Sequence, residues 1–232
     1  MKKNKLKILA SGFFVLMLSV FSTSNVKAAE EKKPTLLGAE VSFNAGYTTN
    51  YLWRGETQND NDGSASFGMD LAFPKGFYAG VWTAAVNYNS SNQEVDIYGG
   101  IAKSFGPATF DVGYISYKYP GSTGVGSNFG EYYASIAFAP EKAPYSLKAK
   151  IYRDDQGNNL ETTELSATYN FDFASVTVLS GDYEKTREYK SLTISKEIMG
   201  LNVALAVTDN DRDTANVNFD KRITTLSVSK SF

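Results

Sequence analysis

Residues 40–54 read Glu-Val-Ser-Phe-Asn-Ala-Gly-Tyr-Thr-Thr-Asn-Tyr-Leu-Trp-Arg. Val41, Phe43, Ala45, Tyr47, Tyr51 and Trp53 alternate with Glu40, Ser42, Asn44, Gly46, Thr48, Asn50 and Arg54; only Thr49 and Leu52 break the pattern. A period of two gives a strand one apolar face and one wet face. The run is longer than the about five or six residues usual in soluble sheets. It has the roughly nine to eleven residues a tilted strand needs to cross a bilayer. The stretch predicts the first strand of a transmembrane β-barrel, ending in an aromatic pair suited to a membrane interface.

The same pattern recurs along the chain. Phe67, Met69 and Leu71 face away from Ser66, Gly68 and Asp70; Val95 and Ile97 from Glu94, Asp96 and Tyr98; Phe110 and Val112 from Asp111 and Gly113. Tyr132, Ala134 and Ile136 oppose Glu131 and Tyr133; Leu147, Ala149 and Ile151 oppose Lys148 and Lys150; Leu165 and Ala167 oppose Glu164 and Ser166. In the third run, residues 77–87, Tyr78 and Trp82 oppose Ala79 and Val81. Counted to the C-terminus, about twelve strands are predicted in an all-β, antiparallel up-and-down transmembrane barrel over residues 39–232.

Polar loops at 59–63, 88–93, 120–129, 154–159, 184–187 and 209–220 alternate with tight turns at 74–76, 106–107, 140–144, near Asp172 and at 199–200. Outer-membrane barrels show this asymmetry, with short periplasmic turns, longer extracellular loops and an even strand number. Phe73, Phe77, Phe105, Phe110, Phe138, Tyr145, Phe171, Phe173 and Phe232 mark the turn ends. Tyr51, Trp53, Tyr88, Tyr117, Tyr119, Tyr132, Tyr152 and Tyr183 mark the loop ends. Two aromatic belts are what the two interfaces of a bilayer select. A soluble barrel also alternates, but turns its apolar face inward and its charges outward.

The N-terminus reads as a secretory leader. Lys2, Lys3, Lys5 and Lys7 precede an apolar run at residues 8–21, and Val26-Lys27-Ala28 predicts cleavage after Ala28. Residues 29–38 then form a short periplasmic segment. Removing the five leader lysines from 23 basic residues leaves 18 against 25 acidic ones, which argues against a nucleic-acid partner. Cysteine is absent, so an exported chain must draw stability from closed hydrogen bonding or from lipid.

Histidine is absent too, which removes Ser-His triads and histidine metal sites; the chain is not expected to be an enzyme. Asp209-Asn210-Asp211-Arg212-Asp213 starts like a calcium loop, but Thr214 stands where glycine is required and Arg212 intrudes. It reads as a solvated acidic loop. Gly124-Val125-Gly126 has no following helix and reads as loop, not phosphate cradle. No cofactor or metal is expected.

Tyr51-Leu52-Trp53-Arg54-Gly55, Thr57-Gln58 and Lys75-Gly76-Phe77-Tyr78-Ala79-Gly80-Val81-Trp82 resemble the start of the TorF family, whose members are assigned as outer-membrane porins largely by architecture. Glu94-Val95-Asp96-Ile97-Tyr98-Gly99-Gly100 and Asp111-Val112-Gly113-Tyr114-Ile115 fit the same pattern, from about residue 39 to 119. The resemblance implies fold and location rather than a substrate. The C-terminal residues 226–232 look like an outer-membrane assembly signal ending in Phe232, with Lys230 where an apolar residue is usual.

The candidate pore lining is Arg54, Asp70, Glu94, Asp96, Asp111, Glu131, Lys148, Lys150 and Glu164, with Tyr78, Trp82 and Tyr98 as lumen aromatics over inward glycines. Facing rows of opposite charge can select solutes. The expected function is an outer-membrane porin passing small hydrophilic solutes or ions by diffusion. The alternative is a non-conducting structural or surface-binding barrel that works through its acidic loops. Expected partners are outer-membrane lipid and lipopolysaccharide of a Gram-negative bacterium, the barrel assembly machinery and the solutes themselves.

Overall fold

The computed structural model describes residues 34–124, 127–157, 161–184, 186–211 and 222–232. The predicted leader and its cleavage point lie outside these residues. Twelve strands form the wall: β1 Ala39–Thr48, β2 Ser64–Ala72, β3 Phe77–Tyr88, β4 Ser91–Phe105, β5 Ala108–Lys118 and β6 Phe129–Phe138, then β7 Tyr145–Asp154, β8 Glu161–Asn170, β9 Ser175–Tyr183, β10 Arg187–Ile198, β11 Leu201–Asp211 and β12 Arg222–Ser231. Each pairs antiparallel with the next, and β12 closes on β1 from Ser227↔Thr48 to Ser231↔Asn44. Closure leaves no edge to strand unpaired amides in hydrocarbon.

The seam explains one break in the opening pattern. The Thr49 amide donates to the Leu226 carbonyl at 2.9 Å, and the Thr49 hydroxyl accepts from the Leu226 amide at 3.0 Å. A polar residue therefore stands where an apolar one was due, and β1 ends there rather than running on to Arg54 as the alternation predicted. At the other end Phe43 and Phe232 exchange backbone hydrogen bonds of 2.8 and 3.3 Å, so the terminal aromatic residue completes the seam.

Phe67, Ile97, Val112, Ile136, Leu147, Leu165, Val178, Leu192, Leu205 and Leu226 come from ten different strands, and each is between 43% and 57% exposed. Leaving this much apolar surface in water would forfeit about 25 cal/mol per Å²; facing lipid, it loses nothing. The barrel is a transmembrane one. Phe77, Phe105, Phe110, Phe138, Tyr145, Phe171, Phe173 and Phe232 stay exposed at the turn ends. Phe105–Phe110 and Phe171–Phe173 pack ring to ring, with centroids 6.1 and 5.6 Å apart.

Two readings are corrected. The polar loop expected at 88–93 is a two-residue turn, Asn89-Ser90, with φ of 49° and 70°. That is the left-handed geometry of tight hairpins, and it adds Tyr88 to β3 and Ser91–Gln93 to β4. The loop-end aromatic belt is also largely absent. Tyr132 points outward, but Tyr51, Tyr117, Tyr119 and Tyr152 are buried inside the barrel, with Tyr88 tilted against Tyr119 and Tyr183 edge-on to Trp53. These residues lie at the right height but on the inward face.

Candidate functional site

The connection between β1 and β2, residues 49–63, folds into the lumen. Leu52–Trp53 pairs with Glu56–Thr57 as a small ribbon. Its tip, Arg54-Gly55, has φ of 50° and 79°, the two left-handed positions a two-residue hairpin turn requires. A Cβ on Gly55 would also sit 2.8 Å from the Tyr189 Cβ, so only glycine fits. The base is stitched in place. Asn50 Nδ2 donates to Asn61 Oδ1 at 2.9 Å, Thr57 Oγ1 donates to Asn50 Oδ1 at 2.8 Å, and the Gln58 amide donates to the Tyr51 carbonyl at 2.8 Å.

The tip reaches across to the far wall. Arg54 Nη2 donates to both oxygens of Glu131 on β6 at 2.8 Å, and the arginine is 2% exposed. Its guanidinium also lies 4.3, 5.0 and 4.8 Å from the ring centres of Trp53, Tyr152 and Tyr183. Tyr117 donates a second-side hydrogen bond to Glu131 Oε2 at 3.1 Å. On β10 Arg187 pairs with Glu56, and on β11 Asn210 Nδ2 donates to the Gly55 carbonyl at 3.0 Å. Trp53 packs edge-on against Tyr117, Phe129 and Tyr183. A buried charge is tolerated only when paired and hydrogen-bonded, and Arg54 meets both conditions only with the hairpin in this position.

On the wall around it Asp70, Glu94, Asp96, Asp111, Glu131, Lys148, Lys150 and Glu164 take the face opposite the apolar one. Arg54 does not belong to the wall and is corrected to the hairpin tip. Tyr98 donates to Asp70 Oδ1, and Tyr78 donates to Asp111 Oδ1 at 2.6 Å while its hydroxyl meets that of Tyr133. Tyr189 donates to Glu164 Oε1 at 2.6 Å and Tyr152 to Oε2 at 3.3 Å. The Lys150 ammonium lies 3.7 Å from the centre of the Tyr133 ring. The tyrosines lie flat over glycines of the adjacent strand: Tyr98 over Gly80, Tyr133 over Gly113 and Tyr189 over Gly181. A side chain on the glycine would displace each ring.

The lumen has two halves. Toward the turns Asp70, Asp111 and Lys148 are partly buried. Toward the loops, under the hairpin, Glu94, Asp96, Glu131 and Lys150 are buried among Tyr51, Trp82, Tyr98, Tyr117, Tyr119 and Tyr133. It also differs around its circumference. Thr168, Thr177, Ser191, Thr193, Ser195, Thr208 and Thr225 give β8–β12 a hydroxyl face, linked by Thr168–Thr177 at 2.8 Å and Thr208–Ser191 at 3.2 Å.

Glu56, Arg187 and Tyr189 were not singled out in the sequence, and Asn210 was read only as part of the acidic loop. The signal that could have found the hairpin is the Arg54-Gly55 pair directly after the second break in alternation, Leu52. Asp209, read as part of the acidic loop, lies on β11 and pairs with Arg222 at 2.6 Å; residues 212–221 lie outside the described residues. So do 125–126 of the Gly-rich loop. Among the described residues no group of three carboxylate, imidazole or thiol side chains is placed to hold a metal.

No curated protein matches the sequence. Among solved structures the chain is similar to the KdgM porin, at 11% identity over 82% of this chain and 98% of that one, with a TM-score of 0.58. Similarity extends to OccK10 (OpdN) of Pseudomonas aeruginosa, at 9% identity over 85% of this chain and 70% of that one, TM-score 0.46. The outer-membrane protein opdK of the same organism matches at 13% identity over 86% and 68%, TM-score 0.45. With the KdgM porin the shared feature is the fold. Residues 32–232 match the family Gcw_chp, described as a bacterial protein of unknown function, and the chain belongs to that family.

Proposed function

We propose that the protein is an outer-membrane channel for small hydrophilic solutes or ions, narrowed by the hairpin of residues 49–63. One observation carries this reading: a closed barrel with an apolar exterior holds ionisable side chains inside, and Asp70, Asp111 and Lys148 are only partly buried toward the turn end. Charges need water or partners, and a barrel built only as a scaffold would be cheaper to fill with apolar groups. KdgM, which has the same fold, is by name a porin. The TorF resemblance around Arg54 and Trp82 points the same way. The apolar outer band and its turn-end aromatic residues fit an outer membrane reached by a cleavable leader.

Planar-bilayer recording of the refolded chain tests the reading. Discrete current steps that scale with salt are expected. Well-folded protein that carries no current would favour the other reading, a non-conducting barrel. The buried aromatic cluster and the hairpin that fill the loop-side half give that reading its support.

A further inference from the structure

Glu94 and Asp96 stand two residues apart on the inward face of β4, both 0% exposed. None of their four carboxylate oxygens makes a direct hydrogen bond of normal length; the Tyr51 and Tyr119 hydroxyls approach Glu94 at longer range. Four other acids of the lumen wall are held: Glu131 by Arg54 and Tyr117, Asp111 by Tyr78, Asp70 by Tyr98, Glu164 by Tyr189. A second, independent group points at the pair. Tyr51 comes from the hairpin, not the wall; it is 5% exposed, and its hydroxyl also lacks a partner. That hydroxyl lies beside both carboxyls, and the Tyr119 hydroxyl lies beside Glu94. Trp82 and Tyr117 flank Asp96 on the neighbouring strands.

Two adjacent carboxylates removed from water without a counter-charge are strongly unfavourable. We propose that Glu94 and Asp96 hold one divalent, oxygen-seeking cation of the calcium type, with the Tyr51 hydroxyl as a neutral ligand. Two carboxylates supply up to four oxygens and two negative charges, which match one divalent ion. No imidazole or thiol is present in the chain to favour a transition metal. Calcium accepts six to eight oxygens in flexible geometry, whereas magnesium keeps its waters, and a site this shielded leaves little room for water. Because Tyr51 belongs to the hairpin, the ion ties that hairpin to β4.

The proposal does not require current to flow, so it stands or falls separately from the channel reading. Terbium(III) is titrated into the refolded full chain in detergent and excited through the aromatic rings; Tyr51 and Trp82 lie 5.7 Å apart, centre to centre, at the site. One saturable, sensitised site per chain is expected, displaced by calcium at lower concentration than by magnesium. Glu94→Gln and Asp96→Asn should each weaken binding at least tenfold, and the double variant should abolish it. Asp155→Asn, in an exposed loop, should bind as wild type does. In urea titrations, calcium at a hundredfold excess over its Kd should raise the folded-to-unfolded ratio of wild type about 100-fold. In chelator, the double variant should be the more stable protein, because it buries no unpaired charge. No saturable site in wild type would mean that a shared proton neutralises the pair, and would overturn the proposal. So would undiminished binding by the double variant, or a wild type that outlasts it in chelator.

Discussion

Arg54→Ala should release the hairpin from the lumen. The substitution removes two 2.8 Å hydrogen bonds to Glu131 and three ring contacts, and leaves a carboxylate that is almost fully buried without its cation. Removing one partner of a buried pair costs about 3–5 kcal/mol. At 1.4 kcal/mol per factor of ten, the middle of that range shifts the balance between seated and unseated hairpin by about three orders of magnitude. The Glu56–Arg187 pair, the Asn210 bond to Gly55 and the Trp53 packing remain, so seated forms persist and the two states should interconvert. Single-channel recording should then show a larger conductance level absent from wild type, and residues 49–63 should become sensitive to protease. Arg54→Met with Glu131→Gln leaves no charge stranded and should restore most of the wild-type behaviour. The coupling between the two sites should far exceed the roughly 0.3–0.5 kcal/mol scatter of independent substitutions. An unchanged conductance histogram with unchanged protease protection in Arg54→Ala would refute the reasoning, as would additive single and double variants.

Four further outcomes are expected. Leu192→Arg, at mid-height on the exposed face of β10, should lower stability in bilayers by about 2–4 kcal/mol, read from urea unfolding in lipid vesicles. Gly80→Val should displace the Tyr98 ring that lies on it and destabilise by about 1–3 kcal/mol as an overpacked site; adding Tyr98→Leu should recover much of the loss. Asp70→Asn with Asp111→Asn removes two partly buried acids from the lumen and should weaken cation preference in reversal-potential measurements, with the wild-type preference itself fading near 1 M salt, where screening falls to about 3 Å. Asp155, outside the spanning strands, is held below the usual carboxylate range by the Tyr114 hydroxyl and the Gly130 amide. Its docking therefore contributes above the unfolded-state pKa and is lost as pH falls through the depressed folded value; hydrogen exchange at the Gly130 amide should rise only in strong acid, and at all pH values in Asp155→Asn.

The alternation of side chains was readable in the sequence because it is local. A residue and its neighbour two places on share a face whatever the rest of the chain does. The lipid face running through Leu147, Leu165 and Leu192 and the inward positions of Glu94, Asp96 and Lys148 follow from that parity; which tyrosine lies over which glycine follows from the register between strands. The path of the chain after Thr48 does not. Alternation carried the first strand on through Tyr51 and Trp53, and Thr49 and Leu52 registered only as blemishes. The chain turns inward because Arg54 finds Glu131 77 positions away and Glu56 finds Arg187 131 positions away, partners that become neighbours only once the barrel has closed. Parity also placed Tyr117, Tyr119 and Tyr152 near the membrane surface without saying that the hairpin would bury them. A period-two pattern decides which way a side chain points; what it meets there depends on strands far away in sequence.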